Sequence, residues 1–166
     1  MNNEFVEIQK KKIKKAVKII NRVIPKNYPK VSICIFHYID SMLRSTAREY
    51  DISYKEICKY VKTLNKKMVK NNYINTKYYQ PEYIKKNHKV DARTLLALSG
   101  HPVYLNIENT YKFTTKNYIF LLLHELGHNY YKDKKSLKWT DEKEVDRFAI
   151  RWYKRIVGQY AVRLYE

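Results

Sequence analysis

A mainly helical α+β fold with a small edge sheet is what the sequence predicts, on three observations. The chain has 166 residues with only three glycines and four prolines, too few turn formers for an all-β fold. It is 45% hydrophobic and 30% charged, enough apolar material for a core and too much for a disordered chain. Its apolar residues recur mostly at helical spacing, and a clear strand pattern is confined to residues 103–107.

The elements follow in order. Residues 5–24 read as a helix, with Ile13, Val17, Ile20 and Ile24 on one face and Pro25 and Pro29 beyond its end. Residues 31–36 are apolar and β-branched, which fits a strand, but the helical reading is preferred. They are read as the start of a buried helix running to about Tyr50, because Ile35, Ile39, Met42 and Leu43 continue the helical spacing. Ser53 and Glu56 match a capping box, followed by the apolar face Ile57, Tyr60, Val61, Leu64 and Met68. Residues 31–68 thus have the outline of a helix-turn-helix, or of any helical hairpin. The polar, tyrosine-rich stretch 71–90 is the expected tether. A short helix is expected over 91–98, with Asp91 as cap and Gly100 as stop. Thr114 or Thr115 then caps an apolar helix to about Tyr131. Asp141 opens the last helix, with Glu144 as reciprocal capping partner and Gly158 weakening or ending it.

Charge divides the chain. Lys+Arg total 34 against 16 Asp+Glu, a net +18. Residues 1–90 hold 21 basic and 7 acidic residues, and residues 91–166 hold 13 and 9. Heavy use of Lys, Asn, Ile and Tyr points to AT-biased coding, which inflates Lys but does not explain so few acids. A polyanion, nucleic acid above all, is the partner this charge suggests, with Lys10, Lys11, Lys12, Lys14 and Lys15 as candidate contacts. Cys34 and Cys58 are too far apart in sequence for a thiolate metal site, and they read as core side chains in a reducing compartment. The longest apolar run, 119–123, is too short to span a bilayer. Residues 1–4 do not resemble a signal peptide, so a cytoplasmic location is expected.

His124-Glu125-Leu126-Gly127-His128 is an HExxH sequence on a predicted helix. Residues four apart project from one face, so two imidazoles can bind one zinc ion while Glu125 reaches a water beside it. With this chain's own His and Glu frequencies, about 0.01 such motifs are expected per chain by accident. A catalytic zinc site wants a third protein ligand. No histidine follows His128, and position 134 is Lys134. The ligand must then be a carboxylate on the next helix, Glu142 or Glu144. The apolar stripe Val145, Ala149, Trp152 and Ile156 sets the inward face, which Glu142 shares and Glu144 does not. Asp146, one turn on, can accept the second ring proton of a ligand histidine.

HELGH followed by Glu142-x-x-x-Asp146 resembles the gluzincin metallopeptidases: the minigluzincins, the HtpX-like peptidases and the ImmA/IrrE group. The likeness covers residues 103–157. It implies a zincin-like helical core with a small edge sheet over residues 81–166, preceded by a basic helical region over 1–80. That region would be helix-turn-helix-like or a pro-segment, and the two would pack as separate units or as one domain. The resemblance further implies a zinc endopeptidase acting on peptide or protein substrates. His124, His128 and Glu142 would be the ligands, Glu125 the catalytic carboxylate and Asp146 the support for a histidine. The family pairs substrate with a strand beside the cleft, which makes Asn106 on the 103–107 segment a candidate contact. The HtpX-like subgroup is membrane-embedded and fits this chain poorly. The oxyanion-stabilising group is not marked by any motif; Tyr153, Tyr160 and Arg163 are the candidates. The alternative to an enzyme is a non-catalytic zinc- or nucleic-acid-binding protein that uses its basic first half.

Overall fold

The computed structural model describes residues 2–70, 97–110 and 113–160. Among them are five α-helices and a three-stranded mixed sheet: α1 (Asn3–Val23), β1 (Ile33–Phe36), α2 (Ile39–Glu49), α3 (Tyr54–Lys70), β2 (Ala97–Leu98), β3 (Val103–Asn106), α4 (Thr115–Asp133) and α5 (Glu142–Tyr160). Short 3-10 turns over Glu108–Thr110 and Leu137–Thr140 precede α4 and α5. The expected mainly helical fold with a small sheet is what forms. The expected tether over 71–90 and the boundary near residue 80 lie outside the described residues.

α1 starts where Asn2 accepts the Glu4 amide at 3.1 Å and ends before Pro25. Its inner face buries Val6, Ile13, Ala16, Ile19 and Ile20 in one core with Ile119, Leu122, Leu123 and Leu126 of α4 and Ala149, Trp152 and Ile156 of α5. Each fully buried aliphatic side chain contributes about 1.5–3 kcal/mol, so α1 is part of the wall behind α4. A buried polar contact fixes its register: the Tyr118 hydroxyl lies 2.9 Å from Gln9 Oε1 and 3.0 Å from Thr110 Oγ1.

The expected continuous helix over 31–50 is corrected. Residues 33–36 are strand β1, and α2 begins only at Ile39. The Asn21 side chain pairs both backbone groups of Val31, donating to its carbonyl at 2.9 Å and accepting its amide at 2.8 Å. The β-branched run then pairs in parallel with β3, Ile33 opposite Val103 through Phe36 opposite Asn106. β2 pairs antiparallel on the other side of β3, giving the order β1-β3-β2. The expected helix over 91–98 is corrected for Ala97 and Leu98, which are strand; residues 91–96 lie outside the described set.

The Ser53 capping box forms as expected, with Glu56 N to Ser53 Oγ at 3.2 Å and Ser53 N to Glu56 Oε2 at 2.8 Å. A second small core, Ile39, Met42, Leu43, Ala47, Ile57 and Val61, joins α2 to α3 and takes in Phe36, Leu98 and Tyr104 of the sheet.

Gly127 sets how closely α4 and α5 approach. A Cβ there would lie 3.1 Å from Val145 Cγ1 and 3.2 Å from Phe148 Cδ1. Gly127→Val should therefore destabilise the fold by about 1–3 kcal/mol through overpacking and lower the melting temperature by several degrees in a circular-dichroism scan. An unchanged melt would show that the two helices separate freely.

Candidate metal centre

Two helices and the turn between them build the site. Thr114 opens α4 with a full capping box, its Oγ1 accepting the Asn117 amide at 3.3 Å while Asn117 Oδ1 accepts the Thr114 amide at 2.9 Å. Two turns further on, α4 presents His124, Glu125 and His128. It ends in a tight reversal in which Lys135 takes a positive φ of 52°. The turn Leu137–Thr140 then leads into α5, whose first residue is Glu142. Asp141 Oδ1 caps α5, accepting the amides of Lys143 at 3.0 Å and Glu144 at 3.3 Å. The reciprocal half of the expected box is corrected. The Asp141 amide donates to the Lys138 carbonyl, and Glu144 pairs instead with Lys138 at 3.2 Å and with Arg147. Gly158 does not end α5, which continues to Tyr160.

Each imidazole is fixed through Nδ1. His128 Nδ1 lies 2.6 Å from the carbonyl oxygen of Trp139. A carbonyl only accepts, so this nitrogen carries the proton and Nε2 presents its lone pair. His124 Nδ1 lies 2.9 Å from Asp146 Oδ1, which imposes the same tautomer. The two Nε2 atoms are 3.2 Å apart. Glu142 closes the triangle, with Oε2 at 3.1 Å from His124 Nε2 and Oε1 at 3.6 Å from His128 Nε2.

With both rings neutral, the two Nε2 lone pairs and the Glu142 carboxylate converge on one point. Glu142 Oε2 is buried and has no hydrogen-bond donor among the described residues. Ligands placed about 2.0–2.1 Å from a tetrahedral zinc ion stand about 3.3 Å from one another; the two Nε2 atoms at 3.2 Å match that spacing, and one oxygen of Glu142 lies near each of them. His124, His128 and Glu142 are also the one group of metal-ligating side chains that the described residues bring within reach of a common ion. The donor set of two imidazoles and one carboxylate suits zinc.

The local field points the same way. Burial works against charge on His124, but the Asp146 and Glu142 carboxylates outweigh it and raise its pKa to about 10. For Glu142, burial works against ionisation, and the two imidazoles overcome it, holding the carboxyl far below its ordinary range. The centre thus attracts positive charge to the point where the three side chains meet, whether a proton or a metal ion supplies it. Glu125 is 7% exposed, and burial pushes its carboxyl up. Among the described residues none donates a hydrogen bond to it.

The structure thus brings together His124, Glu125, His128, Glu142 and Asp146. Asn106 is fully buried on β3, opposite Phe36 of β1, and the described residues of β2 pair with its neighbours Tyr104 and Leu105. Tyr153 packs its ring edge-on to Phe120; the Tyr160 side chain and Arg163 lie outside the described residues. Of the expected polyanion contacts, Lys10 pairs with Glu7 at 3.0 Å and Lys12 donates to the Phe113 carbonyl at 3.2 Å. Lys11, Lys14 and Lys15 are exposed. Sequence reasoning missed the Trp139 carbonyl, a backbone atom that no side-chain motif announces.

Asp146→Asn tests the support. It should weaken zinc affinity by about 10–100-fold with the fold intact, read by competition with a chromogenic chelator. Unchanged affinity would make Asp146 a surface acid of α5.

No family profile matches the chain, and comparisons with curated proteins and with solved structures find no significant match.

Proposed function

We propose that this chain is a zinc-dependent metallopeptidase of the gluzincin type, hydrolysing peptide bonds in peptide or protein substrates. The observation that carries the reading is the convergence of His124 Nε2, His128 Nε2 and Glu142 at 3.1–3.6 Å, with both Nδ1 atoms already committed. His124, His128 and Glu142 would hold the ion. Bound there, zinc supplies Lewis acidity for a carbonyl oxygen and lowers the pKa of a water to about 7.

The chain's own groups do the rest. Asp146 and the Trp139 carbonyl hold the rings in the ligating tautomer. Glu125, one residue from His124 and unclaimed by any donor among the described residues, takes the proton of the attacking water. It then delivers that proton to the departing amine nitrogen. Its raised pKa matches this work, since a base that must also act as an acid needs a pKa nearer neutrality. The packing of α4 on α5 at Gly127 holds both helices in register while the proton moves.

The test is a mixed peptide library treated with the zinc-loaded chain. New termini should appear by mass spectrometry, vanish with a chelator and return with zinc. An intact library, with one zinc ion bound per chain, would make the metal a structural clasp and overturn the proposal.

A further inference from the structure

The outer face of α1 plays no part in the metal centre, and beyond Glu4 and Glu7 at its N-terminal end its chemistry is one-sided. Lys11, Lys15, Lys18 and Arg22 stand at helical spacings of four, three and four residues, so they form one straight row, with Lys14 beside it. All five are exposed. They lie opposite the buried Ile13, Ala16 and Ile20, so the row faces away from the core. No acidic residue occurs between Glu7 and Asp40, while nine Lys and Arg do. A solvated face rich in lysine through coding bias would still carry acids among them, as the segment from Lys138 in the turn to Arg147 on α5 carries Glu144.

We propose that this face of α1 is a docking surface for the phosphate backbone of double-stranded nucleic acid. The row from Lys11 to Arg22 is about 16 Å long, matching about five base pairs of duplex. It offers five cations in an evenly spaced row along an exposed helix face, which suits the regular charge of a phosphate backbone, a contact that carries no sequence information. Residues 11–22 contain no aromatic side chain, which argues against single strands, whose bases need stacking platforms. The apolar face of α1 is spent in the core, so the helix has nothing to insert into a bilayer. Lys10 and Lys12 are not part of the row, being turned to Glu7 and to the Phe113 carbonyl. The surface lies across α1 from α4 and does not depend on the metal centre's activity.

The experiment is fluorescence anisotropy of a labelled short DNA duplex with the full zinc-loaded chain between about 50 and 200 mM salt. Five phosphate contacts give a slope of log K against log salt of about −4.5. The combined variant Lys11→Glu, Lys14→Glu, Lys18→Glu and Arg22→Glu should lose at least about 100-fold in affinity and most of that slope. The combined Lys→Gln and Arg→Gln variant at the same positions should lose at least about 10-fold, which covers the case that charge reversal impairs folding. Lys55→Glu, Lys59→Glu and Lys62→Glu on α3 should change affinity by less than about 3-fold. An equal loss from the α3 set, no duplex binding at the lowest salt, or tighter binding to phosphatidylserine vesicles than to duplex would each overturn the proposal.

Discussion

Glu125→Gln should reduce peptide hydrolysis by about 10²–10⁴-fold in kcat, the usual span for losing a positioned acid–base group, while one zinc ion stays bound. Glutamine keeps the size of the side chain, and no described group depends on the Glu125 charge for a hydrogen bond. The ligands His124, His128 and Glu142 remain in place, with their supports Asp146 and Trp139. KM should therefore change little, since the carboxylate acts on the proton and not on substrate binding. A steady-state comparison at matched zinc occupancy reads both constants. Activity within about tenfold of the parent would remove Glu125 from the chemistry and leave the proposed mechanism without its base.

Glu142→Ala and Glu144→Ala form the second decisive pair. The two residues are neighbours on the first turn of α5, and helical phase separates them. Glu142 faces both Nε2 atoms, whereas Glu144 is held by Lys138 and Arg147 on the outer side. Removing Glu142 leaves two imidazoles, and zinc affinity should fall by several orders of magnitude, since the site loses its only anionic ligand. Removing Glu144 loses two exposed ion pairs, which contribute little to stability, and should leave zinc bound. The opposite pattern, metal lost with Glu144 and kept with Glu142, would contradict the ligand assignment.

The convergence of His124, His128 and Glu142 is legible in the sequence because its information is local. HExxH and the Glu142–Asp146 spacing each lie within one helix, where period 3.6 decides which side chains share a face. The same periodicity separated Glu142 from Glu144 before any distance was known. β1 was not legible, because what makes residues 33–36 a strand is Val103–Asn106, about seventy residues away, and the Asn21 side chain. Local apolar spacing alone extends the following helix backwards through them. Asn106 illustrates the same limit. A strand pattern says that residues alternate between faces, but not that β3 is the middle strand of the sheet or that its Asn106 is buried. The Trp139 carbonyl depends on the path of the turn between α4 and α5, which only the folded chain defines. Of the five expected basic contacts on α1, the helical phase retains Lys11, Lys14 and Lys15, and it adds Lys18 and Arg22 further along the row.

One measurement bears most directly on the metal centre: the metal content of the untagged chain, by elemental mass spectrometry after purification without added zinc. The geometry of His124, His128 and Glu142 predicts close to one zinc ion per chain, lost in Glu142→Ala. No zinc in the parent chain, and none taken up on titration, would contradict the assignment of these side chains as ligands.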